Sequence, residues 1–168
     1  MATEGISKTT RGVRNNNPGN IRLSSQFKWT GQVQGTDKDF CVFDKMENGL
    51  RAMFRLLANY HILYQVNTIR EIFLRYAPPT ENHTDVYARW IADALHDRGF
   101  LNVTVDGRLD WHNRKQMMAL GECICQYESN YLPDRRELRR GYERGMGQLL
   151  VPSGRVKDVE EDEGLIKR

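Results

Sequence analysis

The sequence predicts an α+β fold that is mainly α-helical and carries one small antiparallel β hairpin near its start. Three observations predict it. Alternation of apolar and polar residues is confined to residues 21–43. Beyond that run, apolar residues recur three or four apart in successive segments as far as about residue 150. Ahead of it stands RGVRNNNPGNIR, residues 11–22, whose asparagines and Pro18-Gly19 form a turn that launches the first strand.

The turn comes first in chain order. Pro18 fixes φ and Gly19 can adopt a positive φ, so a type II turn centred on this pair is expected. Ile21 and Leu23 then face one way, with Asn20 and Arg22 on the opposite side. Turn signals at Thr30-Gly31 and Gly35-Thr36-Asp37 divide the alternating run into two or three strands, to which Phe27, Trp29, Phe40, Val42 and Phe43 supply apolar surface.

Everything after the hairpin reads as helix. Leu50, Phe54, Leu57, His61 and Tyr64 form one stripe of a helix over about residues 45–64. A short helix follows, with Thr68 as N-cap, Glu71 as its capping-box partner, and Ile69, Ile72, Phe73 and Tyr76 buried, until Pro78-Pro79 stops it. A third helix starts near Thr84, carries Val86, Trp90, Ile91, Ala94 and Leu95 inward, and ends at Gly99. Residues 100–109 form a loop or a small β excursion. The fourth helix spans about residues 110–128, with Met117, Leu120, Ile124 and Tyr127 on its buried face. An arginine-rich helix closes the domain from Pro133 to about Leu150. Its crowding of Arg135, Arg136, Arg139, Arg140 and Arg144 is read first as a solvated, salt-bridged surface, and second as a patch for an anionic partner.

Length and composition bound the rest. A chain of 168 residues with 39% hydrophobic and 28% charged content is a single globular domain with a core of its own, here residues 11–150. Residues 1–10 are expected to be a flexible leader and residues 151–168 a disordered acidic tail. MATEGISKTT lacks the apolar centre of a secretory signal, and no apolar run is long enough to span a membrane. A net charge of +3 is too mild to argue for nucleic acid, which is not expected as a partner. Cys41, Cys123 and Cys125 are odd in number and form no CxxC, and the four histidines show no ligand spacing. Packing thiols, no metal site and no cofactor are expected.

A carboxyl that acts as a general acid at neutral pH keeps its proton well above its ordinary range, which burial against apolar groups provides. Glu128 suits that task. It lies eleven positions beyond Met117 and four beyond Ile124, so it continues the buried stripe to the helix end, where a cleft could open. Glu122 falls away from the stripe and looks solvent-facing. Glu47, Glu71 and Glu81 read as capping or surface residues. Asn17, Asn20 and Arg22 line the polar side of the turn, Tyr60 and Tyr76 could stack on sugar rings, and Tyr131 borders Glu128.

NNNPGNIR, with Trp29-Thr30-Gly31-Gln32, Phe40-Cys41-Val42-Phe43 and Gly49-Leu50-Arg51-Ala52, resembles a family of small bacteriophage and prophage virion or lysis proteins that look lysozyme-like. The resemblance covers about residues 11–131. The layout is also similar to bacterial glucosaminidase and lytic transglycosylase domains, in which a catalytic Glu ends a helix and a Ser-Gly pair follows. Gln126-Tyr127-Glu128-Ser129-Asn130 looks like that signature, with Asn in place of Gly. In those enzymes the Glu helix precedes the Asn-rich turn and hairpin; here it follows them, which implies a circularly permuted lysozyme-like arrangement.

The resemblance implies a peptidoglycan-cleaving glycosidase of a bacteriophage, in the virion or in the host cytoplasm before release to the wall, with other virion proteins as further partners. Glu128 would be the general acid. Asp39 is the best second carboxylate, since glucosaminidases carry an acidic residue in the corresponding hairpin; Asp37 and Asp44 are weaker. A lytic transglycosylase can act with one Glu, and a hydrolase remains the alternative. A virion protein that keeps the fold without catalysis is the rival from another class, and a nucleic-acid binder using the arginine helix is a third.

Overall fold

A computed structural model describes residues 9–77 and 81–150, with Glu81 and Asn82 described in their backbone alone. The proposed acidic tail, most of the proposed leader and Pro78-Pro79 lie outside the described residues. The last two leader residues are described. Thr10 caps a four-residue helix, α1 (Arg11–Arg14), and its hydroxyl donates to the Ser129 carbonyl at 2.7 Å. This anchored one-turn helix has too few residues to show a period.

The protein is mainly helical with one two-stranded antiparallel sheet. Strands β1 (Gln32–Val33) and β2 (Val42–Phe43) pair Gln32 with Phe43 and Val33 with Val42, and a single bridge joins Arg22 to Phe40. Trp29, Phe40 and Phe43 are buried as expected, whereas Leu23 is exposed.

The organising element is α2 (Met46–Tyr64), in which every residue from Asn48 to Tyr60 is buried. The sequence suggested one apolar stripe, yet this helix is enclosed on all sides. Gln65 in the left-handed region ends it. Next comes α3 (Ile69–Tyr76), which has the expected capping box, Thr68 to the Glu71 amide and the Glu71 carboxylate back to the Thr68 amide, and buries the four expected residues.

Helix α4 (Glu81–Asp97) begins about one turn before the expected Thr84. Its inward face is Thr84, Tyr87, Ala88, Ile91 and Leu95, and Val86 points outward. Residues 100–109 are a turn-rich loop. Helix α5 (Arg114–Ser129) is capped by the Asn113 side chain and ends on Asn130. Met117, Leu120 and Ile124 are buried, but Tyr127 is 37% exposed, contrary to expectation.

The arginine-rich segment is shorter than expected: α6 (Arg135–Tyr142) passes into a wider π turn at Glu143–Gly147. α6 and the π turn pack on α2, where a Cβ on Gly145 would lie 2.4 Å from the Arg51 carbonyl. Arg140 and Arg144 pair with Glu47, and Arg114 with Glu143. A salt-bridged surface is therefore the reading that the geometry supports for this face. Among the described residues, no helix is long and apolar enough to cross a membrane.

Candidate active site

The site is built where the end of α5 meets the asparagine turn. Asn17 holds that turn together. Its side-chain amide donates to the Ile21 and Cys41 carbonyls at 2.9 and 3.0 Å and its Oδ1 accepts from the Ile21 amide at 2.9 Å, all in a fully buried position. The Asn20 amide closes the turn on the Asn17 carbonyl at 3.0 Å. The turn is not type II. Positive φ falls at Asn16 and Asn20, both near 50°, and not at Gly19. Gly19 is needed for room instead: a Cβ there would sit 2.3 Å from the Tyr76 hydroxyl oxygen and 3.0 Å from Met53 Cγ.

Ser129 clamps the helix end to this turn. Its hydroxyl donates to the Pro18 carbonyl at 2.7 Å, and its own carbonyl accepts from Thr10. The next residue, Asn130, is the left-handed cap at φ 49° and ψ 43°. A glycine takes that conformation most readily and asparagine tolerates it, so Asn in place of Gly leaves the helix end intact.

Glu128 is thereby fixed beside Asn20, 108 residues away in sequence. The Asn20 side-chain amide donates both to the Glu128 carboxylate and to its backbone carbonyl, each at 3.1 Å. Burial raises the Glu128 carboxyl above its ordinary range, and the Tyr87 hydroxyl, the Asn20 amide and the charge of Arg22 offset part of that rise. The Tyr87 hydroxyl interacts with the carboxyl, yet neither it nor the buried Asn20 Oδ1 has a partner of full hydrogen-bond geometry. Two polar atoms beside a half-buried acid are thus left to be satisfied. Among the described residues Glu128 has no ion pair.

Aromatic rings continue from the carboxylate to the surface. Phe73 stacks on Tyr87 at 4.0 Å between centroids, Tyr87 on Tyr127 at 3.8 Å, and Trp90 meets Tyr127 edge-on at 5.1 Å. Across the site, the Arg11 and Arg22 guanidinium groups lie over the Phe40 ring at 4.6 and 4.7 Å. The arrangement offers a carboxyl raised by burial, an amide, a guanidinium and an exposed aromatic edge, a set suited to a hydroxyl-rich ligand.

Of the residues singled out from the sequence, the structure brings together Glu128, Asn20 and Arg22. It separates others. Asn17 is a buried strut whose amide is fully used, so it cannot hold substrate. Tyr60 is 0% exposed inside α2 and cannot stack on a sugar. Tyr76 is buried and its hydroxyl donates to the Gly19 carbonyl at 2.5 Å, which makes it a positioning residue under the turn. The Tyr131 hydroxyl turns to Glu137 on α6 at 2.8 Å.

Asp39 is exposed, and no contact among the described residues joins it to Glu128. Asp37 is occupied by the hairpin, accepting from the Asp39 and Phe40 amides and from Asn15, which together hold its carboxyl below the ordinary range. Asp44 accepts from Asn48 at 2.7 Å. Glu122 is not solvent-facing but meets Arg98 at 2.9 Å. Tyr87, Tyr127 and Trp90 were not picked out as site residues from the sequence. A phase of Thr84, Tyr87, Ala88, Ile91 and Leu95 on α4 would have placed Tyr87 inward.

Cys41, Cys123 and Cys125 are buried free thiols, and burial pushes Cys123 up to about 11. Among the described residues no cluster of His, Cys, Asp and Glu could hold a metal ion.

No protein-family model matches the chain. It is similar to Protein P5 of Pseudoalteromonas phage PM2, with 36% identity over 91 residues that make up 52% of this chain and 57% of that protein. The chain thus spans just over half the length of a bacteriophage relative.

Proposed function

We propose that this chain cleaves the glycan strand of bacterial peptidoglycan, with Glu128 as general acid and then general base, within a circularly permuted lysozyme-like arrangement. The observation that carries the reading is the Glu128 carboxyl itself: half-buried, raised by burial, fixed by Asn20 and Ser129, and open to an aromatic edge. The phage relative supports a bacteriophage context, in the virion or in the host before release to the wall. Sugar rings would lie against Tyr127 and Trp90, with Asn20 and Arg22 meeting their polar substituents.

The chemistry needs one carboxyl. Glu128 protonates the glycosidic oxygen as the C1–O bond breaks, and the resulting carboxylate then takes the proton of the attacking hydroxyl. If that hydroxyl is the substrate's own C6 group, O6 bonds to C1 and the product is a 1,6-anhydro sugar. If it is water, a reducing end forms. The first route needs Glu128 alone, whereas a hydrolase usually places a second carboxyl about 5–9.5 Å away, and Asp37 and Asp44 are already engaged by the hairpin and by Asn48.

That no described contact brings a second carboxylate to Glu128 supports one alternative, a virion protein that holds the wall without cutting it. Turbidity loss of purified peptidoglycan and the masses of released muropeptides separate the two. Glu128→Gln is expected to slow cleavage by about two orders of magnitude or more while the fold is kept. A wild-type protein that sediments with peptidoglycan but releases nothing would replace the enzyme with the binding protein.

A further inference from the structure

A polar cavity lies on α5, and Glu128 is not among its lining residues. It has a volume of about 430 Å³ and is lined by Arg98, Phe100, Lys115, Met118, Ala119, Glu122 and Arg135. That size suits a small-molecule or short-peptide ligand. Three cations face one carboxylate, which leaves the lining two positive charges in excess.

The cations are not equivalent. Arg98 is held on three sides, donating to Glu122 at 2.9 Å and to Gln126 and the Ala94 carbonyl at 3.0 Å. Lys115 has no ion pair among the described residues, and Arg135, whose side chain is 82% exposed, reaches Glu122 only at 3.9 Å. Two cations can therefore turn to an incoming anion, over an apolar floor of Phe100, Met118 and Ala119. A carboxylate next to a short alkyl group matches that lining.

The cavity and the candidate active site both lie along the packed pair of α4 and α5. These helices run in opposite directions, since Tyr87 stacks on Tyr127 while Arg98, just past the end of α4, bonds Gln126 and Glu122. Glu122 and Glu128 differ by a rise of about 9 Å and by about 120° around the helix, which puts their carboxyls on the order of 13 Å apart. Four extended peptide residues span about 13–14 Å.

From this geometry we infer that the cavity binds a free carboxylate of the peptide stem that hangs from the glycan strand. The inference rests on the peptidoglycan reading above and adds a peptide subsite to it. Lys115 and Arg135 receive the carboxylate, Arg98 and Glu122 hold the wall of the cavity, and Met118 and Ala119 meet the adjoining alkyl group.

The test is a calorimetric titration of the full chain with a synthetic stem tetrapeptide, and with the same peptide amidated at its carboxyls. The acid form is expected to bind at least about tenfold more tightly than the amide, and the Lys115→Gln/Arg135→Gln double variant to lose that preference. Both substituted side chains are exposed, so the variant keeps its fold. The ratio of cleavage of peptide-bearing to peptide-free glycan strands should fall in the same variant. Equal binding of acid and amide, or an unchanged preference in the variant, would overturn the subsite. So would competition by a duplex oligonucleotide with a steep salt dependence, which would assign the cations to nucleic acid. Cleavage without peptide binding removes the subsite alone, and peptide binding without cleavage removes the enzyme reading alone.

Discussion

Glu122 and Glu128 sit six residues apart on one helix and meet opposite surroundings. Glu122 lies between guanidinium groups, Arg98 at 2.9 Å and Arg135 at 3.9 Å, in a cavity with an excess of positive charge. Glu128 has an amide, a phenol and stacked rings as its nearest neighbours, and the hydrogen bonds of Tyr87 and Asn20 with the more distant charge of Arg22 offset only part of its burial. One carboxylate is neutralised by its partners; the other is held where charge is disfavoured. What separates them is about 120° of helix rotation and the clamp that Ser129 makes on the asparagine turn. A helix therefore carries a structural and a chemical carboxylate in the same two turns by presenting them to different neighbours.

The largest way to break this contrast is to open the turn that covers Glu128. A methyl group at Gly19 would meet the Tyr76 hydroxyl oxygen at 2.3 Å and Met53 Cγ at 3.0 Å. Gly19→Ala should cost about 1–3 kcal/mol, as overpacking does in a filled core. Thermal unfolding checks the loss. Displacing the turn also moves away the Asn20 amide, which holds the Glu128 carboxyl down, so the pH at which cleavage falls should move further up. An unchanged melting temperature would show that the turn is looser than its contacts imply.

A smaller effect tests the other member of the pair. Glu122→Gln keeps the shape and removes the charge that Arg98 faces. Both side chains are less than a quarter exposed, so solvent screens the pair only in part. The expected cost is about 1 kcal/mol, read as a lower melting temperature at neutral pH. Any rise in stability would mean that Arg98 is satisfied by Gln126 and the Ala94 carbonyl alone.

Much of this contrast was legible before the structure. The period of α5 put Glu128 at a helix end beside an apolar stripe, and the polar side of the turn supplied Asn20 and Arg22. The capping box of α3 was equally plain, because Thr68 and Glu71 act within one turn of helix. What failed were judgements of which polar and aromatic side chains stay open to a ligand. Asn17 and Asn20 look alike in sequence, and only the packing of the turn on Cys41 and Glu128 separates the strut from the ligand. Tyr60 and Tyr76 have the right chemistry for stacking but lie under other elements. Val86 in place of Tyr87 was an error of one residue in helix phase, and it hid the ring that touches the acid. Asp39 rests on family likeness alone, and no described contact joins it to Glu128.

The smallest predicted effect is the most discriminating, because the same Glu→Gln exchange should change sign between the two positions. Burial raises the folded-state pKa of Glu128 above its unfolded value. The native state thus favours the protonated carboxyl, whose contribution is fully present below the unfolded pKa, about 4.3. It is lost as pH rises through the folded value. Above the folded value the wild type carries a charge that its surroundings disfavour, and glutamine removes it while its oxygen can still accept from Asn20. Glu128→Gln should therefore melt at a higher temperature than the wild type at pH 7–8, by an amount worth under about 1 kcal/mol, even as cleavage is lost. The difference should shrink toward zero as pH falls below about 4. A variant that is less stable than wild type at pH 7, with a gap that closes in acid, would show that Asn20, Tyr87 and Arg22 outweigh burial. Glu128 would then be a stabilising charge like Glu122, and the general-acid role would lose its physical basis.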